Sequence, residues 1–371
     1  MQTQAAVLWG AKQDWKIETI DLGDPVRHEV RVKLAASGLC HSDEHIVTGD
    51  AHFEHFPLVG GHEGAGVVEA VGPGVETLAV GDHVVLSWIP ACGRCRPCVL
   101  GWQNLCENGA SLLTGKALAD GTNRIHVGGQ PATAFCMLGT FAQHVVVHEY
   151  SAVKIEPDLP LDKAALVGCG VTTGYGSAVN AGEVRSGDTV VVVGVGGIGM
   201  SAVQGARMAG ASQIVAVDPV AWKRDAAKDF GATHSAADVA EALPLVTEIT
   251  AGQMAAAVLI TPSLALGELI MPAMLLAGKR GRVVVTAVAP TAQQEISCNL
   301  TDLTFMEKQL RGALYGSENP RTAVPKLLGL YRRGELKLDE MITRTYALDE
   351  INQGYADMRA GKNIRGVIVF D

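Results

Sequence analysis

The pattern of apolar and polar positions changes character near residue 170. Before that point, short alternating runs dominate. Glu29-Val30-Arg31-Val32-Lys33-Leu34 alternates polar and apolar with a period of two, the mark of a strand buried on one face. Residues 66–72 and 82–86 read the same way, with Gly72-Pro73-Gly74 and Gly81-Asp82 as turn signals. Residues 109–129 are glycine-rich with little periodicity and predict a long surface excursion, and 139–148 return to strand character. A compact, mainly β unit follows from this part. From about residue 171 the pattern becomes apolar runs alternating with helix-compatible segments. Strands are predicted at 189–193, 213–217, near 233, 255–260, 282–287 and 310–315, with helices near 198–209, 222–229, 238–250 and 264–277. That alternation predicts an α/β fold with a doubly wound, parallel, six-stranded sheet. Helix spacing recurs over 323–332 and 348–359, and 366–370 predicts a final strand that returns to the N-terminal unit. The domains so read are 1–170, 171–313 and a returning segment, 314–371.

Composition narrows the class. A chain of 371 residues suffices for two domains with their own cores. The apolar fraction of 48% and a mean hydropathy of +0.20 fit a globular, well-packed chain. A net charge of −9 and a pI near 5.7 argue against nucleic acid or an anionic membrane as partner. The N-terminus lacks the basic flank and apolar core of a signal peptide. The most apolar stretch, 251–278, is broken by Pro262, Glu268 and Pro272 and reads as buried strand and helix rather than a span. A cytoplasmic location is predicted, and in that setting the eight cysteines suggest metal binding before disulfides.

The first chemical signal follows the run Thr189-Val190-Val191-Val192-Val193. It is Gly194-Val195-Gly196-Gly197-Ile198-Gly199, a G-x-G-x-x-G turn opening a helix. Gly194 permits the tight turn, Gly196 lets backbone approach a pyrophosphate, and Gly199 lets helix pack on strand. The helix N-terminus adds unpaired N–H groups and a positive dipole end. Asp218 closes the next apolar run, where a carboxylate accepts ribose hydroxyls and repels a 2′-phosphate, so NAD(H) is expected rather than NADP(H).

Cysteines give the second signal. Cys92-x-x-Cys95-x-x-Cys98, then Cys106, sets four thiols on short turns, which fits one tetrahedral structural zinc. Two disulfides or an iron–sulfur cluster are the alternatives, although the spacing matches neither common ferredoxin run. Three further segments are rich in chemistry: Gly38 to His45, Gly60 to Gly66, and Val167 to Gly176. Cys40, His62 and Cys169 offer two sulfurs and one nitrogen to a zinc with an open fourth position. On spacing alone, Cys169 reads as core before it reads as a ligand, and His45 as a surface histidine before a relay.

The segments Cys40-His41-Ser42-Asp43, Gly61-His62-Glu63-x-x-Gly66, Cys92/Cys95/Cys98/Cys106, Gly168-Cys169-Gly170, Thr172-Thr173-Gly174-Tyr175-Gly176 and Gly194 to Gly199 occur in one order along nearly the whole chain. Together they resemble the zinc-dependent alcohol dehydrogenases of the medium-chain dehydrogenase/reductase superfamily. The resemblance implies a GroES-like, mainly β catalytic domain over 1–170, with a structural-zinc lobe over 92–106, and a Rossmann domain over 171–313. It implies two Zn²⁺ per chain, NAD(H), a small alcohol or aldehyde substrate, and a homodimer or homotetramer. The catalytic zinc falls on Cys40, His62 and Cys169, with Glu63 beside it and Asp43 bonded to the zinc histidine. Ser42 matches the contact to the alcohol oxygen, and His45 the end of the proton relay to solvent. His41 and Arg365 match pyrophosphate contacts, Asp218 and Lys223 adenosine-ribose contacts, and Thr173 a nicotinamide neighbour. Trp88 aligns with a position lining the substrate pocket; a core indole is its other reading.

Within the family, Ile89 to Cys95, Gly115 to His126 and Asn363 to Ile368 resemble the NDMA-dependent, nicotinoprotein-like branch, which holds NAD(H) tightly and recycles it with an artificial acceptor. The thiol-adduct formaldehyde dehydrogenases share the long middle loop but place an arginine where this chain has Ala110. Two other classes are weighed against these. A zinc-free quinone or enone reductase would lack both cysteine sets, and a non-enzymatic zinc module would predict a basic surface.

Overall fold

The structure is a computed structural model, and it describes residues 1–293 and 295–371. The chain divides into two compact units. One comprises Met1–Cys169, Asn319–Arg333 and Leu338–Asp371; the other comprises Gly170–Glu318 and Gly334–Lys337.

The first unit is mainly β. Five strands close a small barrel in the order Gln2–Leu8, Lys16–Leu22, Ile125–Val127, Gln130–Ala134, Leu58–Val59. A second sheet runs Ala152–Ile155, His83–Leu86, Gly64–Val71, Glu29–Gly38, Arg365–Val369, Ile342–Tyr346, with His144–His148 also paired to Glu29–Gly38. Glu29–Gly38 is its hub. Its even-numbered apolar residues, Val30, Val32 and Leu34, are fully buried, as the alternation predicts. The last strand does return to this unit, pairing Val367 with Gly38. Trp15, Phe141 and Tyr355 meet in the core, with Trp15 edge-on to Phe141 and stacked on Tyr355.

Two local expectations change. The excursion over 109–129 is not all surface. It opens with a 3₁₀ turn, Glu107–Ser111, and ends in the barrel strand Ile125–Val127, whose Ile125 and Val127 side chains are buried. The polar segment after Gly38 is a helix, His41–Thr48, which the apolar periodicity does not reveal. Asp43, Glu44, His45 and Ile46 are its buried residues, so most of its inner face is ionisable.

In the second unit six parallel strands order as His234–Ala236, Gln213–Val217, Thr189–Val193, Ala255–Ile260, Ala277–Val285, Gln309–Gly312. This is the predicted doubly wound α/β sheet. Its strand order reverses at Thr189–Val193, where open α/β sheets carry their ligands. Helices Gly197–Met208, Ala221–Phe230 and Val239–Ile249 lie within a residue or two of their predicted bounds. The fifth strand begins at Ala277 rather than 282, because the preceding helix, Ile270–Leu276, is short. The sixth ends at Gly312, because Tyr315, Gly316 and Ser317 turn through positive φ. No helix among the described residues is long and apolar enough to cross a membrane.

Candidate functional site

Strand register assembles the first site. Ser37 pairs with Gly64, the Gly38 N–H donates to the Glu63 carbonyl, and Gly38 faces Val367. Cys40 lies two residues past Gly38, His62 and Glu63 just before Gly64, and Arg365 two residues before Val367. Three neighbouring strands therefore deliver these side chains to one end of one sheet. A Cβ at Gly38 would overlap Glu63 and stand 2.9 Å from the Arg365 guanidinium, so the approach requires glycine. Cys169 arrives from the turn after helix Leu161–Val167. One donor atom each from Cys40, His62, Glu63 and Cys169 lies within 4.8 Å of all the others, and all four residues are buried.

The side chains of this cluster perturb one another strongly. Contact with Cys169 holds the Cys40 thiol well below its ordinary range, overcoming burial, with help from His62 and Arg365. The same contact and burial push Cys169 up. Burial works against a charged His62, yet Asp43, Cys40 and Cys169 together hold its proton on. Two sulfurs and an imidazole so arranged are the donor set of a zinc site with one open position. Asp43 is fully buried, with Oδ2 3.0 Å from His62 Nδ1 and Oδ1 accepting the Gly61 N–H at 2.6 Å. With Nδ1 engaged, Nε2 is the nitrogen left to face the thiols. Burial raises Glu63 to about 7 against the pull of Arg365, whose guanidinium donates to Glu63 Oε2.

The helix His41–Thr48 carries the candidate relay. Ser42 Oγ lies 3.7 Å from Cys40 Sγ. The rings of His41 and His45 are 6.2 Å apart and tilted. His45 is buried rather than on the surface, and its Nδ1 lies 3.5 Å from Asp50 Oδ2. Trp88 is half-buried against the core of this unit. Two neighbours escaped sequence reasoning. Phe135 stands edge-on to His62 at 5.5 Å, and Cys136 beside it is a thiol that burial pushes up to about 12. Neither sits in a recognisable spacing, and only the barrel closure brings them here.

In the cysteine lobe, Cys92 and Cys98 sulfurs are 3.9 Å apart and those of Cys95 and Cys106 3.8 Å. Disulfide sulfurs lie at about 2.05 Å, so neither pair is bonded. A tetrahedron of sulfurs about 2.3 Å from a central ion has edges of about 3.8 Å, which is the spacing found. All four sulfurs lie within 4.8 Å of one another, room for one ion and not for a cluster of irons. Backbone N–H groups of Cys95 and Glu107 point at the sulfurs of Cys92 and Cys95 at 3.4 and 3.5 Å. Such donors favour thiolates: burial opposes it, yet the N–H groups of Glu107 and Cys98, with the Cys98 and Cys92 side chains, bring Cys95 to about 7.

The glycine loop of the second unit separates three roles. Gly194 has φ +88°, and a Cβ there would stand 2.6 Å from Pro262 N. A Cβ on Gly199 would overlap the Gly194 carbonyl. One on Gly196 would meet nothing within 4 Å, leaving the loop backbone open to an approaching group. Gly197 and Ile198 begin the helix. Asp218 Oδ2 accepts the Val195 N–H at 3.0 Å and Oδ1 the Val220 N–H at 2.9 Å, which ties the carboxylate to the loop and leaves each oxygen a second lone pair. Burial lowers Lys223, with Asp218 pulling the other way. The Thr173 hydroxyl is buried and has no hydrogen-bond partner among the described residues.

Comparison with known proteins agrees with this chemistry. Residues 26–157 match the family described as alcohol dehydrogenase GroES-like domain, and 197–331 match zinc-binding dehydrogenase. Alcohol dehydrogenase B of Mycobacterium tuberculosis is 49% identical over 99% of this chain and 98% of its own. An NDMA-dependent alcohol dehydrogenase of Amycolatopsis methanolica is 49% identical over 100% of this chain and 99% of its own. Among solved structures, benzyl alcohol dehydrogenase from Acinetobacter calcoaceticus superposes with a TM-score of 0.91 at 30% identity, each chain covered in full. With both units matched and half the residues shared over the full length, the chain belongs to the zinc-binding alcohol dehydrogenases of the medium-chain dehydrogenase superfamily.

Proposed function

We propose that this enzyme oxidises a small alcohol to an aldehyde or ketone, reversibly, with hydride transfer to NAD⁺ held at the Gly194–Gly199 loop. The observation that carries the reading is the buried Cys40, His62, Cys169 donor set backed by Asp43. These three residues would hold the catalytic Zn²⁺, and Cys92, Cys95, Cys98 and Cys106 a structural one. Bound zinc supplies Lewis acidity at its open position, and the nicotinamide supplies the hydride acceptor. The chain's own residues do the rest. Asp43 fixes the ring and tautomer of His62. Ser42 receives the alcohol proton at Oγ and passes it toward His45, a type of assistance typically worth about 10²–10⁴-fold. Asp218 selects NAD(H) over NADP(H) by charge, with Lys223 beside it; His41, Thr173 and Arg365 complete the dinucleotide contacts. Arg365 also holds Glu63 beside the metal ligands, and Trp88 narrows the substrate pocket.

Within the family we assign the chain to the NDMA-dependent branch, in which NAD(H) stays bound. The named relative from Amycolatopsis methanolica supports this, as does Ala110 in place of the arginine of the thiol-adduct enzymes. The working form is a homodimer or homotetramer. Denaturing purified protein and measuring released zinc and NAD(H) tests the assignment. Stoichiometric NADH alongside two zincs per chain is expected. Cofactor-free protein that turns over with added NAD⁺ would reject the branch, and protein without zinc that still turns over would reject the mechanism.

A further inference from the structure

We propose that Asp50 is the outlet of the proton relay: it takes the proton from His45 and hands it to water. The inference rests on the reading that His45 receives the alcohol proton. The His45 side chain is only 4% exposed, so the ring is poorly placed to discharge directly to solvent.

The turn after its helix supplies the missing step. Gly49 ends the helix with φ +86°, which folds the chain back so that the N–H groups of Gly49 and Ala51 both donate to the His45 carbonyl, at 3.1 and 3.0 Å. Asp50 lies between them. Its Oδ2 stands 3.5 Å from His45 Nδ1, and its side chain is 35% exposed. The Thr48 hydroxyl donates to the same oxygen at 2.7 Å and fixes its position. Asp50 is thus a carboxylate with one oxygen at a buried imidazole and a third of its side chain in water.

The transfer balances on these two residues. The ring accepts a proton at Nε2, the Nδ1–H bond breaks, and an O–H bond forms at Asp50 Oδ2. The imidazolium and carboxylate become neutral imidazole and carboxylic acid, and the acid then loses its proton to water. Other charged groups bear on His45: Glu44, which Arg359 holds at 2.6 Å, His41 one turn back on the same helix, and Lys12, whose Cε lies against Gly49. Asp50 differs from them in setting a carboxylate oxygen 3.5 Å from His45 Nδ1 on a partly exposed side chain. Because Asp50 works through His45, it is a positioning and relay residue and not one that touches substrate.

Asp50→Asn tests this, since the amide keeps an oxygen for Thr48 and removes only the basic carboxylate. Single-turnover NADH formation would be followed in the zinc-loaded, NAD⁺-loaded enzyme at low and high buffer concentration, across the pH range where an imidazole titrates. The variant is expected to be about tenfold slower at low buffer, an order below the weakest typical effect of a directly acting acid–base group, about 10²-fold. Formate or acetate should restore the rate, chloride at equal ionic strength should not, and the wild type should be insensitive to all three. Wild-type speed in Asp50→Asn at low buffer, with His45→Gln slow, would overturn the outlet and leave the His45 relay standing. A slow Asp50→Asn that no carboxylate rescues would overturn it too, as a structural effect. A fast His45→Gln would remove the relay itself, and the outlet with it.

Discussion

Gly196 precedes the helix Gly197–Met208 and Gly199 lies in its first turn, and the fold gives their substitution opposite consequences. A Cβ added at Gly199 would overlap the Gly194 carbonyl oxygen, and would stand 2.9 Å from that carbonyl carbon and 3.1 Å from Thr261 Oγ1. Neither neighbour can yield. Gly194 is held by its N–H bond to Val217, and the Thr261 hydroxyl donates to the Val193 and Gly194 carbonyls. The helix Gly197–Met208 must therefore shift away from the strand it follows. Overpacking of this kind costs typically about 1–3 kcal/mol, and alanine's helix propensity returns at most about 1 kcal/mol. Gly199→Ala is expected to lose about 1–2 kcal/mol of stability. Gly196 has φ −76° and ψ −159°, which alanine adopts, and open space where the Cβ would go. Gly196→Ala should stay within about 0.5 kcal/mol of the wild type. Its methyl would stand where a pyrophosphate must approach the backbone, so the NADH Kd should rise about tenfold or more, equivalent to about 1.4 kcal/mol. Urea unfolding of the cofactor-stripped proteins measures the first quantity, and fluorescence titration with NADH the second. Wild-type NADH affinity in Gly196→Ala would refute the placement of the pyrophosphate. Wild-type stability in Gly199→Ala would refute the packing argument.

Three other outcomes follow from the two cysteine sites and the sheet around them. Cys40→Ala and Cys95→Ser should each lower bound zinc by about one per chain, the first abolishing turnover in a folded protein and the second reducing folding yield; an active Cys40→Ala with full metal would end the catalytic assignment. Asp43→Asn keeps an acceptor for Gly61 but loses the charge facing His62, and should weaken metal binding about 10–100-fold in chelator competition; unchanged affinity would mean that Asp43 does not orient the ring. Stability should also fall with acid through His148. Its ring is lowered to about 4 by burial first, then by His28, Arg94 and Arg321, and it accepts the Tyr150 N–H at 3.1 Å. Between an unfolded value of about 6.5 and that folded value the unfolded chain binds the extra proton, so stability present at neutral pH is lost as pH falls through this window. The side chain is half-buried, and screening by solvent reduces the effect to about 1–2 kcal/mol. His148→Gln should flatten urea midpoints over that range, and an unchanged pH slope would contradict the assignment.

What could be read from sequence was what local pattern encodes. The strand Thr189–Val193, its glycine turn and Asp218 are contiguous signals of backbone need, and their bounds agree with the structure to a residue or two. The four-cysteine lobe is likewise one short segment whose spacing is its geometry. Cys40, His62 and Cys169 are different. Spacing left them as possible core, and their grouping came from the family resemblance, because the physical cause is strand register. Ser37 opposite Gly64 sets Cys40 beside His62, and a one-residue slip would turn every side chain on that strand to the other face. The partners behind them lie further still: Arg365 reaches Glu63 across 302 positions, and Arg359 reaches Glu44 across 315. The helix His41–Thr48 was hidden for a related reason. A helix declares itself by an apolar stripe, and this one buries Asp43, Glu44 and His45 instead. Burying ionisable groups is tolerated only where partners await, and those partners are Gly61 and His62, Arg359, and Asp50. The failure of the local pattern at this helix therefore coincides with the place where the proposed proton and metal chemistry is built.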